Sequence, residues 1–291
     1  MTSRHLRSFI AASIALIATL TQAAPIIADG NFSDWGIQAN GTAAGLTPTA
    51  NAGIFYEIED QSNVNNGFLS PGWGGQAYDA EAMYLTWHKK ADGKTYLYLG
   101  LLTGHNPDTP TAGGSFGRGD FAIDFGRDGS FEFGVLTKNR SAALQQGAVV
   151  STTNADWAKG LWSSPGVLAN ASNPSPYVTH VNTGTQVGSA TVAWTKLAGA
   201  LGALGGDHWF YEAEIEVTSF GANWLSDSPT KAFDVQWTMD CANDIITLDP
   251  PGGMVPEPAS AALVLLGVGM MAEQRRRSGR QVQAQVQVQQ G

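Results

Sequence analysis

The chain has 291 residues, 25 acidic against 16 basic, a formal net charge of −9 and only 14% charged residues. Because six of the basic residues sit in the two end segments, the body is more acidic than the whole, which argues against nucleic acid and anionic lipid as partners and fits divalent cations or neutral glycans. One cysteine, Cys241, rules out an intrachain disulfide, and 35 glycines with nine tryptophans suit a loop-rich all-β extracellular module.

At the start, Arg4, His5 and Arg7 precede an apolar run from Phe9 to Leu20, followed by the small residues Ala23 and Ala24. This order is that of a secretory signal peptide over residues 1–24. The apolar run is too short for a bilayer, which needs about 20 such residues. Asp29-Gly30-Asn31-Phe32-Ser33-Asp34-Trp35 follows, with Asp29, Asn31 and Asp34 as a candidate oxygen cluster and Asx turns as the simpler explanation. Trp73 lies in the loop Pro71-Gly72-Trp73-Gly74-Gly75.

Two hairpins come next. Met83, Leu85 and Trp87 alternate against Ala82, Tyr84 and Thr86, and an Asp92-Gly93 turn leads into Thr95–Leu102. Phe121, Ile123 and Phe125 share a face, the chain turns through Asp128-Gly129, and Phe131, Phe133 and Val135 resume the apolar side. In the turn, Asp124, Asp128 and Glu132 stand at positions one, five and nine of a calcium-loop-like frame. Calcium takes six to eight oxygens, so three carboxylates with carbonyls and water fit it, although an Asp-Gly turn explains the same residues without an ion. From Ser151 to Gly206 the pattern is hard to read; Trp157, Trp162 and Trp194 fall there, and Leu197–Leu201 is a candidate short helix. Tyr211, Ala213, Ile215 and Val217 alternate with Glu212, Glu214 and Glu216, which predicts a strand with one buried face and one wet acidic face. Phe233, Val235, Trp237 and Met239 predict the last clear strand, continued at Ile245-Ile246, and Asp240, Asn243 and Asp244 form a third oxygen-bearing group. Cys241 is expected as a buried free thiol.

The C-terminal part has Pro256-Glu257-Pro258, an apolar stretch from Ala261 to Ala272 and Arg275-Arg276-Arg277. Prolines stop the helix growing backward and arginines stay on the cytoplasmic side. These residues resemble the PEP-CTERM sorting signal of Gram-negative bacteria over roughly the last 40 residues. The resemblance implies processing by an exosortase-type membrane enzyme, transient anchoring in the inner membrane through the apolar transmembrane helix, and delivery to the cell surface, often in bacteria that make exopolysaccharide and biofilms. The chain departs from the family in its Gln/Val-rich extension, residues 278–291. The Asp29–Trp35 segment and the two hairpins also resemble carbohydrate-binding modules of the family 9 and DOMON-like type, which implies a jelly-roll-like sandwich with ligand binding.

The sequence therefore predicts a signal peptide (1–24), a single antiparallel β-sandwich (25–250), a sorting signal (251–277) and a low-complexity tail (278–291). The expected role is that of an exported, non-enzymatic surface or extracellular-matrix protein that binds or organises extracellular polysaccharide, with a purely structural or adhesive protein without a small ligand as the alternative and a polysaccharide-active enzyme as the third, less favoured reading. Trp35, Trp73 and Trp162 are the candidate sugar-stacking residues, and Asp29, Asp34, Asp124, Asp128 and Glu132 the candidate calcium ligands. No HExxH, no Gly-x-Ser-x-Gly elbow and no close histidine pair is present, and alternate carboxylates such as Glu57 and Glu59 read as strand surface rather than as a glycosidase pair.

Overall fold

The computed structural model describes residues 25–38, 43–49, 53–59, 75–110, 116–164, 167–197, 206–224 and 232–250. The expected signal peptide, Trp73, the sorting motif Pro256-Glu257-Pro258 with Arg275-Arg276-Arg277, and the tail all lie outside them. Among the described residues no helix is long and apolar enough to cross a membrane.

The described strands are β1 (Phe55–Ile58), β2 (Ala80–Lys89), β3 (Thr95–Thr103), β4 (Phe121–Phe125), β5 (Phe133–Val135), β6 (Ala148–Ser151), β7 (Trp157–Lys159), β8 (Trp162–Ser164), β9 (Val167–Leu168), β10 (Val178–Val181), β11 (Thr185–Leu197), β12 (His208–Glu216), β13 (Phe233–Thr238) and β14 (Ile245–Leu248). Ten form one antiparallel sheet in the order β1-β2-β3-β12-β11-β6-β5-β4-β13-β14, and β14 comes back against β1 and β2. The sheet is all-β and antiparallel as expected, but it curls into a near-barrel instead of splitting into two sandwich layers. The cause is β11. Its first half pairs with β6, with a register shift between Gln186 and Gly188, and its second half with β12, so one 13-residue strand carries the sheet around the corner that a sandwich would leave open.

Both predicted hairpins form. Lys89 pairs with Thr95 and Lys90 N donates to Lys94 O at 2.9 Å; Phe121 pairs with Val135 and Ile123 with Phe133. Gly93 has φ +84°, a backbone position that favours glycine.

The barrel is filled by side chains. Met83, Leu85, Trp87, Leu99, Ile123, Val135, Tyr211, Ile215, Val235 and Trp237 point inward with their neighbours in one core. Two coverings bury the outside. An N-terminal strap packs Ile26, Trp35, Ile37 and Leu46 on Ala82, Tyr84, Tyr98, Leu102 and Phe210. On the opposite wall, Trp157, Val178 and Val181 from the paired β7 and β10 cover Ala122, Ala148 and Val150. Burying side chains of this size contributes about 1.5–3 kcal/mol each.

The coverings correct one expectation. Glu212 does not lie on a wet acidic face, because the strap lies over it and it is 1% exposed. Only its neighbours stay near solvent, with Glu214 paired to Lys90 at 2.6 Å and Glu216 to Lys94 at 2.7 Å. Cys241 is a buried free thiol in the turn after β13, and burial pushes it up to about 12. Leu197 ends β11, and the remainder of the candidate helix lies outside the described residues.

Candidate functional site

The β4–β5 turn holds the metal-ligating residues that the sequence pointed to. Asp124, Asp128 and Glu132 bring one carboxylate oxygen each within 4.8 Å of one another. Asp124 ends the buried part of β4, Asp128 is exposed at the turn, and Glu132 leads back toward β5. Their oxygens also organise the turn. Asp124 accepts from Asp128 N at 3.2 Å and Gly129 N at 2.8 Å, Asp128 from Ser130 N at 2.9 Å, and Glu132 from Phe125 N at 2.7 Å. Burial, with the charges of Asp124 and Asp128 added, pushes the Glu132 carboxyl up. A carboxylate has about four lone-pair sites, so each keeps capacity for a cation after these bonds. Calcium at 2.3–2.6 Å from oxygens spans a group of this width.

The other sequence-selected residues fall elsewhere. Asp29 caps its own turn through Asn31 N at 2.8 Å, while Asp34 accepts from Ile27 N at 2.9 Å; among the described residues the only carboxylate cage is the one in the β4–β5 turn. Trp35 is fully buried, with its ring 6.0 Å from that of Tyr84 and 6.2 Å from that of Phe210, so neither face is open to a sugar. Gly100 makes this possible, since a Cβ there would meet Trp35 at 3.2 Å. Trp162 is buried in the small β8–β9 pair. The Asp240, Asn243 and Asp244 group does not assemble into a cage. Asp240 joins Lys138 at 3.1 Å, Arg140 at 3.4 Å and His180 at 2.8 Å, while Asp244 turns to β2. Burial works against the Asp240 charge, yet the His180 hydrogen bond and the Arg140 and Lys138 charges hold its carboxyl far below the usual range.

Two carboxylate sites escaped the sequence reading. The first is Glu212. It accepts from Trp35 Nε1 at 2.6 Å, Asp29 N at 3.0 Å and Gly30 N, so it clamps the strap to β12. Gly30 has φ +85° and its missing Cβ would meet Thr195 Oγ1 at 2.6 Å, which explains the Asp-Gly of the motif by close approach. The second lies where the sheet closes. Asp79, Glu81 and Asp244 are each at most 1% exposed, and Glu59 joins them from the end of β1, with Glu59 N on Glu81 O at 2.8 Å. The opposing histidine is His208, Nε2 2.9 Å from Glu81 Oε1. Burial, helped by the neighbouring Asp244 charge, pushes Glu59 up to about 7.

No family model, curated protein or solved structure matches the chain.

Proposed function

We propose that the chain is an exported, non-enzymatic surface or matrix module whose near-barrel sheet carries calcium at the β4–β5 turn and binds or organises extracellular polysaccharide. The observation that carries this reading is the convergence of Asp124, Asp128 and Glu132 within 4.8 Å. A divalent ion there relieves the repulsion among three carboxylates and ties the two arms of the hairpin together. Anionic groups of a glycan can fill the coordination positions that the protein leaves to water. The signal-peptide-like start and the PEP-CTERM-like tail in the sequence support a role outside the cell, with an exosortase-type enzyme as processing partner.

The test is retention of the exported protein on a panel of anionic and neutral polysaccharides, with calcium and with chelator, alongside thermal unfolding. A folded-state ligand at 100 times its dissociation constant adds about 2.7 kcal/mol, which is readily seen. Retention that needs calcium supports the reading; no retention on any polysaccharide and no calcium shift would overturn it. A second reading, a structural or adhesive protein without a small ligand, is favoured by the burial of Trp35 and Trp162, and it predicts matrix incorporation that is indifferent to a Trp73→Ala change.

A further inference from the structure

At the seam, where the sheet closes, three polar side chains from separate elements meet at one point. Gln76 comes from the short turn Gly75–Tyr78, Glu81 from β2 and His208 from the first position of β12. Glu81 falls where the β2–β3 register shifts between Ala80 and Ala82. A bulge of this kind re-aims a side chain, and Glu81 is 0% exposed beside an equally buried His208. Two glycines let Gln76 approach. A Cβ on Gly104 would clash with the Gln76 carbonyl oxygen, and one on Gly206 would meet Gln76 Cγ at 3.1 Å.

The three groups touch pairwise. His208 Nε2 is 2.9 Å from Glu81 Oε1 and 3.0 Å from Gln76 Nε2, which also meets Glu81 Oε1. On the far side of the ring, His208 Nδ1 lies 3.3 Å from Gly206 O, so Nδ1 carries the proton and Nε2 presents its lone pair. That one lone pair cannot take a hydrogen from both Gln76 and Glu81, and a protonated Nε2 would face an amide N–H. No placement of protons therefore serves all three contacts. It also leaves Gln76 Oε1 and Glu81 Oε2 buried without a hydrogen-bond partner among the described residues.

The nitrogen and oxygen of an amide are told apart by their hydrogen bonds, and turning the Gln76 amide over puts its oxygen at the meeting point. Glu81 Oε1, Gln76 Oε1 and His208 Nε2 then aim lone pairs at one place, with Glu81 Oε2 beside them. Such an arrangement repels itself unless positive charge lies within it, and a single proton bridges only one of the three contacts. Ligand atoms about 2.1 Å from a metal ion lie about 3 Å apart at the right angles of a five- or six-coordinate shell, which matches the two histidine distances. Calcium, at about 2.3–2.6 Å from its ligands, needs wider spacing and takes oxygen rather than imidazole.

We propose that Gln76, Glu81 and His208 form a closed site for a first-row divalent metal ion such as zinc, which staples the Gly75–Tyr78 turn to the ends of β2 and β12. His208 gives Nε2, Gln76 its amide oxygen and Glu81 one or both carboxylate oxygens. Gly206 O holds the imidazole from behind, as outer-shell acceptors do. The site is separate from the β4–β5 turn and does not rest on the calcium reading. Because Glu81 and His208 are buried, the ion enters as the chain folds and leaves when it unfolds.

The experiment uses the full chain, produced with zinc in the growth medium, dialysed against EDTA and then unfolded in urea with a zinc indicator. The expected result is about one zinc per chain, held through dialysis and released on unfolding. Gln76→Ala should lose zinc to EDTA at least about tenfold faster. Gln76→Glu separates an ion from a proton network. With an ion present, the second carboxylate keeps zinc bound, and zinc raises the variant's melting temperature; without one, the two carboxylates repel and zinc changes nothing. His208→Phe, which keeps a ring and removes both nitrogens, should retain no zinc. If it fails to fold, the two Gln76 variants decide, since Gln76 is only half-buried. A parent chain free of zinc after dialysis overturns the proposal. So does zinc held as firmly by Gln76→Ala as by the parent, because the ion would then lie elsewhere or be adventitious.

Discussion

The barrel assembles carboxylates in two ways. In the β4–β5 turn, Asp124, Asp128 and Glu132 come from one short stretch, and the backbone that gathers them also supplies four N–H donors to their oxygens. At the seam and under the strap, Glu59, Asp79, Glu81, Glu212 and Asp244 come from distant parts of the chain and are enclosed by packing. The first kind stays beside water, where an ion can come and go. The second kind is dry, so its charges must be met by protons, by a histidine or by directed N–H groups. Acids gathered by a turn are suited to exchange with solvent; acids gathered by closure hold the fold together and make it sensitive to pH.

The largest effect is expected where a long-range carboxylate anchors a whole covering. Glu212→Ala leaves Trp35 Nε1, Asp29 N and Gly30 N without their acceptor. Each buried donor left unpaired costs about 1–3 kcal/mol, so denaturant unfolding should show a loss of about 3 kcal/mol or more. A loss below about 1 kcal/mol would mean that the strap is held by Trp35 packing alone, and the contrast between the two kinds of site would weaken.

The enclosed acids and Asp240 differ in pH response. Burial pushes both Glu212 and Glu59 up to about 7 from an ordinary 4.5. A carboxyl raised in the folded state contributes stability that is fully present below its unfolded pKa and is lost as pH rises through its folded one. Asp240 acts oppositely: its stabilisation is present above the ordinary aspartate value and is lost as pH falls toward its depressed one. The melting temperature should therefore be highest near pH 4.5–5, fall toward pH 7 and then level. A melting temperature that climbs steadily from pH 5 to 8 would show that the buried acids are held ionised by groups other than those described.

The division between local and distant also sets what the sequence could reveal. Period-two runs such as Met83–Trp87 and Phe233–Met239 are local, and so is the Asp128-Gly129 turn; each was legible. The sandwich expectation failed because closure is decided by the irregular β11, whose exposed residues around Val187 carry no clean alternation. Glu212 was misread because alternation shows which way a side chain points, whereas the strap that covers it lies almost 180 residues earlier. The tie from Asp244 to Ala80 N on β2 had no signal at all, since nothing near either residue names the other. Trp35 was singled out for the right motif and the wrong reason: the Asp-Gly and the tryptophan serve a carboxylate clamp, with no face left for a sugar.

A smaller effect belongs to the turn. Asp124→Ala strands Asp128 N and Gly129 N, both only partly buried, so about 1 kcal/mol should be lost without any ion. Urea unfolding in chelator measures it. A loss as large as that of Glu212→Ala would show that the turn, too, is part of the buried framework.

The smallest change separates turn from ion. Asp128 is exposed, and in the turn its side chain only accepts from Ser130 N at 2.9 Å. Asp128→Asn keeps an oxygen for that bond and removes one of the three charges a cation would need. In chelator the variant should unfold within about 0.5 kcal/mol of the parent, as surface substitutions do. With calcium present the parent's melting point should rise and the variant's should rise less, because hard cations bind a neutral amide oxygen more weakly than a carboxylate. Equal calcium shifts in the two proteins would take Asp128 out of the coordination shell and leave Asp124 and Glu132 to carry it. The absence of a shift in both would return all three acids to turn chemistry, and the difference between the two kinds of site would then be only one of burial.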